Sequence, residues 1–301
     1  MKPPFRYYGG KQKLAHHIIP LIPVHTVYVE PFCGGASLLF MKPLPDVSND
    51  HYKEVINDTN KHVVNFFRVL RDRELGPELV RQLLMTPYSE SEHKLSKELD
   101  IDEPIEAARR FFVNINQSFS GTLCNGWSRA MLSGNHPYTW RNKTSRLHEY
   151  IERLSRVYIS CQDALDCIKT WDSPQTFFYC DPPYPGSHQG HYSGYTVEDF
   201  QKLIEVLDGV EGSFLLSCYE VEGVEIPKNW EKFQFDVPLN AKKVSRNEKR
   251  PRRVEVLYRR FNRVPVPPKI QKLYDSGAYD CFVRQAQRTE QKTIDSLGDE
   301  A

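Results

Sequence analysis

Short apolar runs recur along the chain and predict the strands of one sheet. They are rich in β-branched and aromatic residues and end at acidic or turn-forming positions, as buried strands do. The runs occupy residues 27–32, 55–56, 156–161, 177–179 and 212–218. Two further runs, at 233–239 and 254–261, alternate apolar and polar residues and flank a basic segment, which predicts a β-hairpin.

Helical spacing marks several of the segments between these strands. Asn60, Pro104 and Thr196 stand where three helices are expected to begin, and each is followed by apolar residues in an i, i+3, i+4, i+7 pattern. Strands that alternate with helices indicate an α/β fold with a mainly parallel sheet.

A glycine turn follows the first predicted strand, within the segment Glu30 to Gly35. A strand, a glycine turn and the start of a helix form the first unit of a nucleotide-binding sheet. The next strand ends at Asp58, about 20 residues further on, where such folds place an acid that holds a ribose hydroxyl. The pairing favours a nucleotide-like cofactor.

The apolar run at 177–179 leads to Asp181, which Pro182, Pro183 and Tyr184 follow. Neither proline can donate to a β-ladder, so the prediction is a stiff turn at the carboxyl edge of the sheet, where open α/β sheets bind ligands. The carboxylate of Asp181 and the carbonyl of Pro182 could each accept one N–H of an exocyclic amine, which biases that nitrogen toward a nucleophilic state. Tyr184 could stack on the ring that carries the amine.

Residues 114–143 are rich in amides, hydroxyls, aromatics and glycine, and we interpret them as a long functional loop. Amide and guanidinium groups offer the paired donors and acceptors that read base edges. The candidate DNA contacts here are Asn116, Gln117, Ser118, Ser120, Asn125, Arg129 and Arg141.

A basic stripe lies between positions 240 and 260, although the whole chain carries a net charge of only +1. Nucleic-acid proteins often show a basic stripe rather than a basic total. The candidate phosphate contacts are Lys242, Lys243, Arg250, Arg252 and Arg253. From charge alone, a solvated hairpin loop is an equal alternative.

Composition narrows the class of protein. The 301 residues are 40% hydrophobic and 26% charged, as in an ordinary globular protein of one large or two modest domains. Seven scattered cysteines without a Cys-x-x-Cys pair argue against a disulfide framework and against a zinc site. With no signal-like segment and no apolar run of about 18 residues, we expect a cytoplasmic protein that does not bind membranes. We further expect a monomer, although no feature of the sequence specifies the oligomeric state.

These motifs occur in the order of a known family. The segments Tyr7 to Lys11, Glu30 to Gly35 and Asp181 to Tyr184 together resemble motifs of the Dam-type (D12 class) DNA adenine N6-methyltransferases. Asn57-Asp58 resembles the second acidic motif of that family and Asp163 the third. Residues 114–119 resemble the start of its target-recognition region, and the resemblance extends over residues 3–262.

The resemblance implies a Rossmann-like S-adenosylmethionine (SAM)-dependent methyltransferase sheet with an inserted, mainly helical target-recognition domain. It further implies methyl transfer from SAM, without metal, to the N6 amine of a flipped-out adenine in double-stranded DNA. The implied catalytic residues are Asp181, Pro182 and Tyr184. The implied cofactor-binding residues are Tyr7, Lys11, Glu30, Phe32, Gly34, Asp58, Asp163 and Asp181. Among these, Asp58 would hold the ribose hydroxyls and Asp163 the cofactor's adenine.

The order of the motifs divides the chain into four parts. Residues 1–70 form the first, SAM-binding part of the catalytic domain, and residues 71–150 the recognition insert. Residues 151–262 complete the catalytic domain with the Asp-Pro-Pro-Tyr motif and the basic hairpin. Residues 263–301 form an extension without a clear counterpart.

Two alternatives stay open. A cytosine N4 DNA methyltransferase performs the same amine chemistry but more often carries serine at the first motif position, so Asp181 favours adenine. A non-catalytic DNA-binding protein on a methylase scaffold is disfavoured by the intact Lys11, Asp58 and Tyr184.

Two departures from the family pattern concern the target sequence and the glycine turn. Gln117 and Ser120 replace the arginine and asparagine of GATC-specific relatives, which disfavours a GATC target. Ala36 replaces a common glycine, which we interpret as a mild change.

Overall fold

A computed structural model describes residues 1–7, 9–43, 52–119, 123–129, 134–185, 194–238, 252–262 and 268–275. Seven strands of the described chain form one sheet: β1 (Val27–Glu30), β2 (Lys53–Asn57), β3 (Val157–Ser160), β4 (Thr176–Cys180), β5 (Ser213–Cys218), β6 (Glu231–Pro238) and β7 (Arg252–Arg260). Their order is β3-β2-β1-β4-β5-β7-β6. The first five strands are parallel, and β7 pairs antiparallel with both β5 and β6. The predicted strands and the predicted hairpin are confirmed.

The helices surround this sheet and begin mainly where the sequence predicts. Their bounds are α1 (Ala15–Ile18), α2 (Ser37–Met41), α3 (Lys61–Arg71), α4 (Leu75–Met85), α5 (Glu90–Leu95), α6 (Pro104–Gln117), α7 (His136–Thr144), α8 (His148–Leu154), α9 (Ala164–Trp171), α10 (Val197–Gly209) and α11 (Pro268–Asp275). The Asn60 side chain accepts from His62 N at 3.0 Å and caps α3. Thr196 forms a reciprocal capping box with Asp199 at the start of α10. No helix within the described ranges is long and apolar enough to cross a membrane.

The strand order reverses between β1 and β4, the two central parallel neighbours. From β1 the chain proceeds outward to β2 and β3, and from β4 it proceeds in the opposite direction to β5. Connections that leave on opposite sides open a crevice at the carboxyl ends of the two strands, which is the usual ligand site of such sheets. Glu30 ends β1 and Asp181 follows β4, so the fold brings both predicted motifs to this crevice.

Helices α4 to α8 form the insert between α3 and β3, and they share the core of the sheet rather than enclosing a separate one. Phe66 and Phe67 of α3 pack with Phe111 and Phe112 of α6, all four fully buried. The rings of Phe66 and Phe112 stack with centroids 5.3 Å apart. Each buried phenylalanine contributes roughly 1.5–3 kcal/mol relative to exposure, so the insert is fixed firmly to α3.

The interpretation of residues 114–143 as one long loop is wrong. Helix α6 extends to Gln117, and α7 begins at His136, where the Asn135 side chain accepts from Tyr138 N at 3.0 Å. Trp140 anchors α7 by donating from Nε1 to the carbonyl of Thr86 at 2.8 Å. The Asn-His-Pro start of α7 is an ordinary helix signal that the polar composition of the segment concealed.

Candidate active site

The crevice at the ends of β1 and β4 contains a buried ion pair between Lys11 and Asp181. Lys11 follows the Gly9-Gly10 turn, and its Nζ lies 2.5 Å from Asp181 Oδ1. The same ammonium donates to the hydroxyl of Tyr184 at 2.8 Å and to the carbonyl of Gly9 at 3.1 Å. The structure therefore brings together the first and the last of the sequence-predicted motifs.

Glu255 of β7 is a member of this cluster that the sequence reasoning missed. Its carboxylate is 3% exposed and accepts hydrogen bonds from the hydroxyls of Tyr184, at 2.7 Å, and Ser217, at 2.6 Å. Lys11 Nζ lies 3.4 Å from the same oxygen. In the sequence, Glu255 is one of two acids within the basic stripe. The signal that could have identified it is its place inside the alternating apolar and polar run at 254–261, which predicts a strand.

Burial changes the protonation equilibria of the cluster. Burial, together with the nearby charge of Glu255, raises the pKa of Asp181 to about 6 against the opposing charge of Lys11. Burial alone would lower the pKa of Lys11, but the two carboxylates more than offset it, so that pKa lies above its ordinary value. Lys11 is therefore cationic at neutral pH, and Asp181 is mostly ionised there.

Glu30 lines the same crevice from the end of β1. Its Oε1 accepts from the Tyr28 hydroxyl at 2.8 Å and from Leu39 N at 2.7 Å. Burial raises the pKa of Glu30 to about 7. These contacts tie the end of β1 to the start of α2, which fixes the loop between them.

The glycine turn after β1 closes tightly over Tyr7. Gly34 has a φ of +46°, and a Cβ at this position would lie 2.6 Å from Cδ1 of Tyr7. Ala36 also adopts a left-handed conformation, with φ 51° and ψ 47°. This corrects the interpretation of Ala36 as a mild change, since a non-glycine residue in that region costs roughly 1–2 kcal/mol. The turn keeps its shape although one of its residues is strained.

Asp58 is 2% exposed and braces this turn from the end of β2. Its Oδ2 accepts from Gly34 N at 2.9 Å, and its Oδ1 accepts from Asn60 N at 2.8 Å. The carboxylate thus connects the glycine turn to the start of α3. Its predicted contact with a ribose stays a prediction.

A second cavity, of about 370 Å³, adjoins the crevice, and Phe32 lines both. Its wall includes Asp163, whose Oδ1 caps α9 by accepting from Leu165 N at 2.8 Å. The Tyr195 hydroxyl is a further wall group, buried and without a hydrogen-bond partner among the residues that the structure describes. A buried hydroxyl without a partner is costly unless a ligand satisfies it. An aromatic side chain, a carboxylate and this hydroxyl together fit an aromatic nitrogen heterocycle such as the adenine of SAM.

The predicted DNA-contacting residues of the insert fall into two groups. Asn125, Arg129 and Arg141 are exposed. Gln117 and Ser118 are buried: the Gln117 amide bonds the backbone of Pro87 and Ser89, and Ser118 Oγ bonds His93. This corrects the prediction that these two residues contact DNA, because their polar groups are already satisfied inside the insert.

Asn116 is half-buried and accepts from Lys143 Nζ at 2.5 Å. Burial, together with the charge of Arg6, lowers the pKa of Lys143 to about 8. In the part of the chain that the structure describes, no carboxylate pairs with Lys143. A lysine held in this way has its charge available to an anion. The sequence analysis did not include Lys143 among the candidate DNA contacts.

Several predicted contacts lie outside the described residues. Ser120, Lys242, Lys243 and Arg250 are among them. Arg252 and Arg253 are the first two residues of β7, and the structure describes their backbone only. Within the described ranges, no group of three or more His, Cys, Asp or Glu side chains could hold a metal ion.

Comparison with known proteins identifies the family of this chain. The family model described as D12 class N6 adenine-specific DNA methyltransferase matches residues 7–225. The type II methyltransferase M1.LlaDCHI of Lactococcus lactis subsp. cremoris is 29% identical over 219 residues, which cover 66% of this chain and 72% of that protein.

Two further relatives match a similar share of the chain. The type II methyltransferase M.MjaIII of Methanocaldococcus jannaschii is 26% identical over 226 residues, covering 66% of this chain and 75% of that protein. The retron Ec67 DNA adenine methylase of Escherichia coli is 22% identical over 215 residues, covering 67% and 71%. The family match includes Lys11, Asp58 and the Asp181 turn, and the chain belongs to the D12 class of N6 adenine-specific DNA methyltransferases.

Proposed function

We propose that this chain transfers the methyl group of SAM to the N6 amine of an adenine extruded from double-stranded DNA, with Asp181 and Pro182 as the groups that hold the amine. The observation that carries the proposal is the place of Asp181. It follows β4 at the point where the strand order reverses, lines the crevice, and is followed by two prolines that stiffen its turn.

The cofactor would occupy the crevice and the adjoining cavity. Tyr7, Lys11, Glu30 and Gly34 line the crevice, and Asp163 with Tyr195 lines the cavity, while Phe32 belongs to both. Asp58, which accepts from Gly34 N in the glycine turn, would also contact the ribose hydroxyls of the cofactor. When bound, SAM supplies a methyl group activated by a sulfonium charge.

The chain's own residues would activate the acceptor nitrogen. Asp181 accepts one N–H of the adenine amine and the Pro182 carbonyl accepts the other, so the lone pair of nitrogen is drawn out of conjugation with the ring. The Tyr184 ring would stack on the base, held by its hydroxyl, which bonds Lys11 and Glu255. Holding the nitrogen in line with the methyl group contributes to the rate by orientation.

Recognition of DNA would use the exposed polar side chains of the insert, Asn125, Arg129 and Arg141, and the Asn116–Lys143 pair. Because adenine N6 is inaccessible to this chemistry inside a duplex, the base must be extruded at a cost of a few kcal/mol. The basic stripe would offset part of that cost by contacting phosphates. The names of the relatives, methyltransferases of bacteria and archaea, support action in the cytoplasm, and we expect a monomer.

Nucleoside analysis tests the proposal. The protein is incubated with methyl-labelled SAM and duplex DNA of mixed sequence, and the digested nucleosides are separated by mass spectrometry. We expect label in N6-methyladenine. Label in N4-methylcytosine would establish the cytosine alternative, and binding of DNA without label would establish the non-catalytic one. Mapping the modified positions identifies the recognition sequence, and Asp181→Asn is the matched inactive control.

A further inference from the structure

Glu255 is a buried carboxylate whose charge the proposed chemistry does not use. The hydroxyls of Tyr184 and Ser217 donate to its Oε1 at 2.7 and 2.6 Å, and the Lys11 ammonium lies 3.4 Å from that oxygen. Donors directed at a carboxyl oxygen stabilise its ionised form. Glu255 therefore contributes a fixed negative charge directly behind the Lys11–Asp181 pair.

This charge changes what the crevice presents to a ligand. Lys11 and Asp181 alone would form a neutral pair, because their opposite unit charges are in direct contact at 2.5 Å. One ammonium shared between two carboxylates leaves a net charge of −1. The three side chains are 5%, 18% and 4% exposed, so water screens that charge weakly.

Asp181 is the most exposed of the three side chains and lines the crevice. The excess negative charge is therefore felt where a ligand would meet the Asp181 carboxylate. A cationic ligand gains from it, and a neutral ligand of the same shape gains little. The methyl donor and its product differ in this way, since SAM carries a sulfonium charge that S-adenosylhomocysteine has lost.

We propose that Glu255 is a positioning residue that keeps the Lys11–Asp181–Glu255 cluster negative, so that the site favours the cationic methyl donor over the neutral product. It holds Lys11 and Tyr184 in place by direct contact, and because it shares the Lys11 ammonium with Asp181, the cluster as a whole stays negative toward the ligand. The inference rests on the proposed function, because it takes SAM as the donor.

Calorimetric titration with SAM and with S-adenosylhomocysteine tests this role. Glu255→Gln keeps the size of the side chain and an oxygen that can accept from Tyr184 and Ser217, but it removes the charge. We expect the variant to lose roughly tenfold in affinity for SAM and much less for S-adenosylhomocysteine, as one charge at short range in a poorly screened site requires. Ser217→Ala is the matched control: it removes a donor to the same oxygen, keeps the charge, and is expected to leave the ratio of the two affinities unchanged.

A second variant covers the case in which Glu255→Gln does not fold. Glu255→Asp keeps the negative charge but shortens the side chain by one methylene, so the preference for SAM over the neutral product should stay at the wild-type value, whatever the loss in absolute affinity. An unchanged ratio of the two affinities in Glu255→Gln, an equal loss for both ligands in that variant, or a lower preference for SAM in Glu255→Asp overturns the role of Glu255 and leaves the proposed function standing. A wild-type protein that binds SAM but does not methylate adenine overturns the proposed function and leaves the charge test standing. A wild-type protein that binds no SAM overturns both.

Discussion

The backbone N–H of Gly34 donates to Oδ2 of Asp58 at 2.9 Å and joins the turn after β1 to the acid after β2. The two residues are 24 positions apart in the chain, and parallel pairing of β1 with β2 brings them to one sheet edge. The bond holds the glycine turn against the ring of Tyr7. The shape of the proposed cofactor site therefore depends on a backbone contact as much as on the residues that line it.

Replacement of Gly34 by alanine should impair this turn. The new Cβ would lie 2.6 Å from the Tyr7 ring in a backbone with φ +46°, so both sterics and strain oppose it. We expect a folded protein whose affinity for SAM, measured by calorimetry, falls on the order of tenfold or more. Gly209→Ala is the control, because nothing lies within 4 Å of a Cβ added there. Equal affinities for SAM in the two variants would contradict the prediction.

Asp181→Asn should abolish most methyl transfer. The amide has the size of the carboxylate but no charge, and it can present an N–H where an acceptor is needed. Loss of one preorganised electrostatic group of this kind lowers kcat by about 10²–10³-fold. Single-turnover methyl transfer at saturating SAM measures the loss, and calorimetry checks that SAM binding partly survives. Activity at the wild-type level would refute the assignment of Asp181.

The pH dependence of kcat/KM should show an acid limb near pH 6. The pKa of Asp181 is raised to about 6, so the carboxylate takes up a proton as the pH falls through that value and can no longer accept from the amine. We expect kcat/KM to fall about tenfold for each pH unit below the limb.

Stability should move in the opposite direction from activity around this residue. A carboxyl pKa raised on folding favours the folded state most fully below the unfolded value of about 3.9, and that contribution is lost as the pH rises through about 6. Urea unfolding of wild-type protein and Asp181→Asn between pH 4 and 8 measures the difference. A wild-type profile of kcat/KM without an acid limb near pH 6 would contradict the assignment of Asp181 as the group that accepts from the amine.

Glu54 should be essential for folding rather than for chemistry. It is a buried residue of β2, where Lys42 contacts it and Arg153 Nη1 lies 2.6 Å from its Oε2. Glu54→Gln leaves two buried cations with one partner fewer, which costs about 3–5 kcal/mol of the free energy of unfolding. Urea denaturation measures the change. Glu78→Gln breaks an exposed pair with Arg81 and is expected to have no measurable effect.

Neutralising Arg250, Arg252 and Arg253 together should reduce the salt dependence of DNA binding. Each phosphate contact contributes about −0.9 to the slope of log affinity against log salt concentration, so the slope should become shallower by up to about 2.7 if all three contact phosphates. Fluorescence anisotropy at several salt concentrations measures it. A slope equal to that of the wild-type protein would mean that the basic stripe is a solvated loop.

The sequence by itself determined the elements and their chemistry. Strand ends, glycine turns and helix caps are local patterns, and those at β1, β4, α3 and α10 have the bounds that their residues predict to within a few positions. The Asp181 turn and the Gly34 turn were readable because prolines and glycines restrict the backbone locally. The insert of helices α4 to α8 was predicted less well, because polar composition concealed both α7 and the burial of Gln117.

Only the tertiary structure decided which charges meet. Lys11 and Asp181 are separated by 170 positions, and Tyr184 and Glu255 by 71. Their contact depends on the insertion of β7 between β5 and β6 and on the reversal of strand order at β1 and β4, which no periodicity in the chain encodes. Glu255, an acid within a basic stripe, is a buried partner of Lys11 because the antiparallel strand β7 places it inside the sheet.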